Sequence, residues 1–230
     1  MPRLVRAIVV LASLLVLASS AYAQCRSDEV LVGEDADNYY CNKRNERALG
    51  DAQAIRSAMD RGGRPSFQTL WDHYQFNREI ARGLAPEQNR CAIVLSMTLG
   101  LRPRAGEASL RDLSGGSLLS VLSQIRHKLV IPEVGRADIA TRYYIRAEQL
   151  ASRLRSEWGE PLVMSGPEAR RQIEGRRGVI LLKDAYRSGN SLGAAHSGDH
   201  IDVWNSNRIG SDSSTPFNDA ASVWFWEMPK

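Results

Sequence analysis

The stretch GDHIDVWN, residues 198–205, decides how the C-terminal third of the chain folds. From His200 to Trp204 polar and apolar side chains alternate, which is the period of a β-strand. Two other short runs, GVILLK at 178–183 and SVWFWEM at 222–228, are rich in apolar, β-branched and aromatic residues and are also predicted to be strands. We expect the three strands to form an antiparallel sheet.

Helical spacing dominates the chain before these strands. Ser66 can cap a helix that ends at Gly83, and its apolar stripe is predicted to lie in the core: Phe67, Leu70, Trp71, Tyr74 and Ala81. The other predicted helices are Ala48–Met59, Cys91–Leu99, Leu118–Lys128 and Tyr143–Trp158. Apart from its one helix, the region 103–136 gives no clear pattern. Helices followed by an antiparallel sheet predict an α+β fold, with the N-terminal helices packed on the sheet.

The first 23 residues have the pattern of a secretory signal peptide. Arg3 and Arg6 precede an apolar run, and Ala21–Tyr22–Ala23 is a cleavage site of the A-x-A type. We therefore predict three parts: a signal peptide at 1–23, an N-terminal extension at 24–63 and a domain at 64–230. The run is short for a membrane span, so we expect no membrane anchor after cleavage and a secreted or periplasmic protein.

Composition excludes several classes of protein. With 43% hydrophobic and 24% charged residues, the chain is expected to be neither disordered nor a polytopic membrane protein. The net charge is only +4, and two of those charges lie in the signal peptide. No basic run interleaved with aromatic residues is present, so nucleic acid is not an expected partner.

Three cysteines remain after the signal peptide, and an odd count in an oxidising compartment leaves one thiol unpaired. Cys25 and Cys41 lie in the same N-terminal segment and are the expected disulfide. Cys91 is then free. Free cysteines are often small buried apolar residues, and that interpretation stays open beside a catalytic one.

Cys91 stands at the first turn of its predicted helix, where unpaired backbone N–H groups stabilise a thiolate and can also donate to an oxyanion. A cysteine nucleophile needs a base, usually histidine. Of the four histidines, His200 opens a strand, which is a rigid support, whereas His73 and His127 lie on helices and His196 in a loop. A helix-borne cysteine followed far downstream by a strand-borne histidine is the layout of papain-like cysteine peptidases.

A zinc site is the competing interpretation. The segment HSGDHID places His196 and His200 four residues apart, with Asp199 and Asp202 close by. Two histidines at this interval converge only on a helix, and the alternation after Gly198 argues against one. We therefore favour the thiol mechanism and expect neither a metal nor another cofactor.

Five blocks of the sequence support a more specific interpretation: RPSFQTLWDHY (64–74), NRCAIVLSMTLG (89–100), RRGVILLK (176–183), GDHIDVWNSNRIGSD (198–212) and VWFWEMP (223–229). In order and spacing they resemble the type VI secretion amidase effectors of the fourth family, over about residues 64–230. The resemblance implies a papain-like fold. It also implies cleavage of peptidoglycan stem peptides between the γ-carboxyl of D-glutamate and meso-diaminopimelate, a Cys-His-Asp triad, and an immunity protein that blocks the cleft.

Position by position, the resemblance places the nucleophile at Cys91 and the base at His200. It favours Asp212 as the third member, because the family's aspartate follows the histidine by about a dozen positions. Asp202 is the alternative: it shares a strand face with His200, whereas an orienting group normally comes from a neighbouring strand, so we expect Asp202 to be solvated or to face substrate. Asn89 matches the family's block and either aids the oxyanion site or only shapes the turn.

Two departures from the family stand out. Asp199 occupies a position where glycine is usual, and two carboxylates flanking His200 would favour its protonated form if they lie near it. The predicted signal peptide is the second departure, since effectors injected by a secretion machine need none. A cell-wall-binding module of the same fold without activity is the remaining alternative.

Overall fold

The structure is a computed structural model, and it describes residues 43–81, 90–112, 143–186, 198–211 and 217–230. The chain divides into two units, Met1–Arg47 and Ala48–Lys230, and the features described below belong to the second unit, apart from residues 43–47 of the first helix. That unit begins upstream of residue 64, the domain boundary that we predict. The predicted signal peptide and the helix Leu118–Lys128 lie outside the described residues.

The helices come first in the chain and the strands follow. Helices α1 (Lys43–Asp60), α2 (Phe67–Ala81), α3 (Arg90–Leu99) and α4 (Ala147–Trp158) precede strand β1 (Leu162–Met164) and helix α5 (Gly166–Ile173). Strands β2 (Arg177–Tyr186), β3 (Gly198–Asn205), β4 (Arg208–Ile209) and β5 (Ser222–Glu227) complete the sheet. Two short 3₁₀ turns, η1 (Leu110–Asp112) and η2 (Phe217–Asp219), lie between these elements.

All strand pairs of the five-stranded sheet are antiparallel, in the order β1-β5-β2-β3-β4. The predicted α+β class and the antiparallel sheet are confirmed. Strands β1 and β4 are not among the predicted elements, because they have only three and two residues and are too short to show a period. Helix α5 is also missing from the prediction, although Ser165, Pro167 and Glu168 form a helix-start signal before it. None of the helices in the described part of the chain combines the length and apolar composition that a membrane span needs.

The sheet is covered on both faces. One face contributes Val179, Leu181, Ile201 and Val203 to a core that also includes residues of α1 to α4. The other packs against α5 and η2 through Ile180, Leu182 and Trp204. Alternate residues of β2 and β3 therefore enter different cores, as the two-residue period of a strand requires. Trp204 is 2% exposed.

Helix α3 is buried along its length, from Ala92 to Leu99. A helix that is apolar on every side must be enclosed by other elements, and only its first residues, Arg90 and Cys91, are partly exposed. It ends at Gly100, which has φ 65° and is followed by a hydrogen bond from the Leu101 N–H to the Ser96 carbonyl. This left-handed stop fixes the helix at one end, so that its other end presents Cys91 at the sheet.

Candidate active site

The site lies where the start of α3 meets β3. Helix α3 packs against β3, and the Cys91 thiol contacts the His200 ring. The Ile201 N–H donates a hydrogen bond to the Cys91 sulfur. In the described part of the chain Cys91 is the free cysteine, and it is partly exposed. The two residues that the sequence predicts as nucleophile and base are therefore brought together.

Asp202 holds the other side of the imidazole. Its Oδ2 lies 3.1 Å from His200 Nε2, and the residue is fully buried. The expectation that Asp202 is solvated is wrong. The register does place both side chains on one face, with His200 opposite Leu182 and Asp202 opposite Ile180. However, residues two apart on a strand are separated by only about 6.6 Å, so a ring and a carboxylate that lean toward each other can meet.

Backbone groups also bind the Asp202 carboxylate. The Val203 N–H donates to Oδ1 at 2.7 Å, and the Ser211 N–H donates to Oδ2 at 3.2 Å. The Tyr74 hydroxyl, from α2, also hydrogen-bonds to this carboxylate. A buried charge is tolerated only when it is paired and hydrogen-bonded, and Asp202 meets both conditions.

The pKa values of Cys91, His200 and Asp202 depend on one another. Burial alone would raise the pKa of the Cys91 thiol, but the charge and hydrogen bond of His200, with the Ile201 N–H, outweigh it and lower that pKa. Burial alone would lower the pKa of His200, but Cys91 and Asp202 raise it well above its usual value. Burial alone would raise the pKa of Asp202 too, but its hydrogen bonds, above all the one with His200, outweigh burial and lower that pKa. The arrangement favours a thiolate beside an imidazolium.

Asp199 does not join this group. Its Oδ1 accepts a hydrogen bond from the Asp184 N–H at 3.0 Å, in the irregular part of β2 where Asp184 has φ 54°. Burial raises the pKa of the Asp199 carboxyl. Of the two carboxylates that flank His200 in the sequence, Asp202 is the one that hydrogen-bonds to its ring at 3.1 Å.

Several predicted residues fall outside the described part of the chain: Asp212, Asn89, His196 and the proposed disulfide partners Cys25 and Cys41. Asp212 directly follows Ser211, whose N–H binds Asp202. Among the described residues, no group of three or more histidine, cysteine, aspartate or glutamate side chains is placed to hold a metal ion. The zinc interpretation pairs His200 with His196, whereas the described neighbours of the His200 ring are Cys91 and Asp202.

Tyr74 and the Ile201 N–H are parts of the site that the sequence did not reveal. Tyr74 lies in an apolar stripe and was assigned to the core, where it is indeed buried. A tyrosine in such a stripe carries one polar atom that must find a partner, and this was the available signal. A backbone N–H of β3 leaves no trace in side-chain patterns.

Comparison with known proteins identifies a family. The sequence profile described as type VI secretion system (T6SS), amidase effector protein 4 (Tae4) matches residues 88–226, more than half of the chain. None of the curated proteins compared with the chain matches it significantly.

The chain is also similar to solved structures of such effectors. The Tae4–Tai4 effector–immunity complex from Enterobacter cloacae matches with 18% identity and a TM-score of 0.45, covering 72% of this chain and 99% of that one. The Tae4/Tai4 effector–immunity system from Salmonella typhimurium matches with 18% identity and a TM-score of 0.47, covering 73% and 100%. Because these identities and TM-scores are low, the assignment depends on the match to the sequence profile. That match shows that the chain belongs to the Tae4 family of type VI secretion amidase effectors.

Proposed function

We propose that this chain is a cysteine amidase that hydrolyses peptidoglycan stem peptides, at the bond between the γ-carboxyl of D-glutamate and meso-diaminopimelate. Membership of the amidase effector family establishes the coarse part, a hydrolase directed at peptidoglycan. The observation that carries the mechanism is the contact between the Cys91 thiol and a His200 ring whose Nε2 is engaged by Asp202. The bond itself is inferred from the resemblance of the motifs.

The acylation step uses the thiolate. Cys91 Sγ attacks the amide carbonyl carbon, a C–S bond forms, and the carbonyl oxygen becomes an oxyanion. Because the thiol lies in the first turn of α3, unpaired backbone N–H groups of that turn are available to stabilise the oxyanion. When the C–N bond breaks, the His200 imidazolium gives its proton to the leaving amine and a thioester remains.

Deacylation reverses the role of the ring. Neutral His200 removes a proton from water, whose oxygen attacks the thioester carbonyl, and the C–S bond then breaks. The product leaves as a carboxylic acid, and the thiolate and imidazolium are restored. With Nε2 held by Asp202, Nδ1 is the ring nitrogen left to exchange protons at the sulfur and at substrate. No cofactor enters this sequence.

Two aspartates compete for the third position. The 3.1 Å contact with His200 supports Asp202. The family resemblance supports Asp212, which directly follows the residue whose N–H binds Asp202. We propose Asp202 as the carboxylate that orients the ring, with Asp212 as the alternative. Asn89 remains a proposed support of the turn or of the oxyanion.

Location and partners follow from the same proposal. The signal-peptide pattern supports export through the general route to the periplasm or the exterior, where peptidoglycan is reached. The Cys25–Cys41 disulfide would form in that compartment. The two solved structures described above combine an effector with an immunity protein, which supports an inhibitor protein that covers the Cys91 cleft.

The direct test is digestion of purified muropeptides by the wild-type protein and by Cys91→Ala, with mass analysis of the products. We expect the wild type to release fragments with a new D-glutamate γ-carboxyl and a new diaminopimelate amine, and Cys91→Ala to release none. Intact muropeptides with a correctly folded wild type would favour the binding module. Inactivation by a chelator but not by iodoacetamide would favour the zinc enzyme.

A further inference from the structure

Tyr74 belongs to the apolar stripe of α2, yet its hydroxyl contacts the Asp202 carboxylate of the candidate active site. The residue is 1% exposed, and its hydroxyl hydrogen-bonds to the Asp202 carboxylate. A core position that only needed volume could be filled by phenylalanine. A buried hydroxyl aimed at a buried carboxylate indicates a polar task, because each group would cost free energy without the other.

The close approach of Tyr74 to Asp202 depends on Gly210. A Cβ at this position would lie 2.6 Å from Tyr74 Cε1, 3.0 Å from Asp202 Oδ1 and 2.4 Å from Val203 Cγ2. Because real Cβ atoms do not tolerate such distances, any larger residue here would separate the phenol ring from the carboxylate. Glycine therefore lets the ring, the carboxylate and the 210–211 turn meet at one point.

Helix α2 also holds that turn. Arg78, one helical turn after Tyr74, donates from Nη1 to the Gly210 carbonyl at 2.6 Å, and Gln75 Nε2 donates to the same oxygen at 3.3 Å. The next residue, Ser211, donates its N–H to Asp202. One helix face thus supplies a direct hydrogen bond to the carboxylate and fixes the backbone that supplies another.

A hydroxyl suits this position better than a second charge. Burial raises the pKa of Tyr74 well above its usual value, and the neighbouring Asp202 raises it further. The phenol therefore stays neutral and remains a donor throughout the pH range in which the Cys91 and His200 pair works. With the backbone donors, it holds the carboxylate in one orientation toward His200 Nε2.

We propose that Tyr74 is a positioning residue of the active site, which fixes Asp202 against His200 through its hydroxyl, with Gly210 permitting the approach and Arg78 holding the turn. When Asp202 is held in this orientation, it keeps the His200 ring directed at the Cys91 sulfur. The proposal rests on the proposed function only where turnover is measured, because the reactivity of the Cys91 thiol can be measured without any substrate.

The test compares Tyr74→Phe with the wild type by two readouts: the pH dependence of Cys91 alkylation by iodoacetamide, followed by peptide mass spectrometry, and kcat with KM on muropeptides. We expect Tyr74→Phe to lower kcat about tenfold with little change in KM, the size of one hydrogen bond to a charged group. Alkylation near neutral pH should slow, because fewer molecules hold the imidazolium beside the sulfur. Thermal unfolding of each variant monitors the fold.

Tyr144→Phe is the matched control. Tyr144 is also fully buried, and its hydroxyl also donates to a carboxylate, Glu107 Oε2 at 2.7 Å, but it has no described contact with Asp202, His200 or Cys91. It should lose comparable stability while its kcat and alkylation profile stay at the wild-type level. If both tyrosine variants lose activity in parallel with stability, Tyr74 is a core residue only.

Two further variants keep the proposal falsifiable. Gly210→Ala should displace the ring and reproduce the Tyr74→Phe profile, and combining Tyr74→Phe with Asp202→Asn should cost little more than Asp202→Asn alone. Full additivity in that cycle would overturn the proposal. So would unchanged alkylation and kcat in a folded Tyr74→Phe, or, should that variant not fold, wild-type alkylation in a folded Gly210→Ala.

The alkylation arm separates this proposal from the proposed function. If wild-type Cys91 is alkylated as a low-pKa thiol and Tyr74→Phe weakens that property, the positioning role stands even when muropeptides remain intact. If muropeptides are cleaved through Cys91 but Tyr74→Phe changes neither readout, the proposed function stands and the positioning role fails.

Discussion

His73 on α2 and His200 on β3 are equally buried, at 7% exposure each, yet their surroundings oppose each other. His73 stacks on Phe76, and its Nδ1 has no hydrogen-bond partner among the described residues. His200 has Asp202 on one side and Cys91 on the other. Burial lowers the pKa of His73 to about 4, whereas the partners of His200 raise its pKa well above the usual value.

The contrast shows that burial by itself does not raise the pKa of a histidine. Desolvation acts on both rings in the same direction and disfavours the imidazolium. Only charged partners at hydrogen-bond distance reverse that effect, and they are present only at His200. A position on a strand, the sequence-level reason for selecting His200, mattered because it allowed a second residue of the same strand to reach the ring.

The largest effect is expected when the pair itself is broken. Cys91→Ala and His200→Asn should each lower kcat on muropeptides by three or more orders of magnitude, because nucleophile and base act as one unit. The same assay on the double variant should show little additional loss. His73→Phe, which keeps a ring against Phe76, should retain activity close to the wild type. A strong loss of kcat in a folded His73→Phe would remove the distinction between the two histidines.

The next effect separates the two candidate aspartates. Asp202→Asn should lower kcat by about two orders of magnitude or more, because the amide cannot stabilise the imidazolium in the same way. Asp212→Asn should have a much smaller effect on the same muropeptide assay. The reverse ranking would assign the third position to Asp212, as the family resemblance favours, and would leave Asp202 a structural role.

The third prediction concerns acid stability rather than activity. Burial lowers the pKa of His73 in the folded protein to about 4, whereas the unfolded chain keeps the ordinary value near 6.5. Between these pH values only the unfolded chain binds the proton, so the free energy of unfolding falls as pH falls from about 6.5 toward 4. The fall in the free energy of unfolding due to His73 amounts to about 3 kcal/mol, because its pKa differs by about 2.5 between the unfolded and folded states. His73→Phe should therefore flatten the fall in unfolding free energy between pH 6.5 and 4. Denaturant unfolding at several pH values measures this, and equal slopes in both proteins would contradict it.

The sequence predicted the fold where elements were long enough to show a period. Helix α3, the capped start of α2 and strands β2, β3 and β5 were all expected, and the Ser66 hydroxyl does accept the Thr69 N–H at 3.2 Å. Helix α4 begins at Ala147 rather than at Tyr143, because Tyr144 forms an isolated bridge with Ser109 instead. Such a pairing between distant segments cannot be read from local spacing.

The site was predicted only in part, for physical reasons. Cys91 and His200 follow from general demands on a nucleophile and a base, and both demands have a local signature. The contact between His200 and Asp202 depends on the directions of two side chains on one strand, which periodicity does not specify. Tyr74 was hidden because helical spacing classifies residues by apolar area and ignores a single polar atom at the tip of the ring.

The central claim is that the His200 imidazolium holds Cys91 as a thiolate, and a pH titration of thiolate absorbance tests it most directly. Subtracting the titration of Cys91→Ala from that of the wild type isolates Cys91 from Cys25 and Cys41. We predict that Cys91 titrates clearly below the ordinary cysteine range in the wild type and returns to that range or above it in His200→Asn. Identical Cys91 titrations in these two proteins would contradict the account.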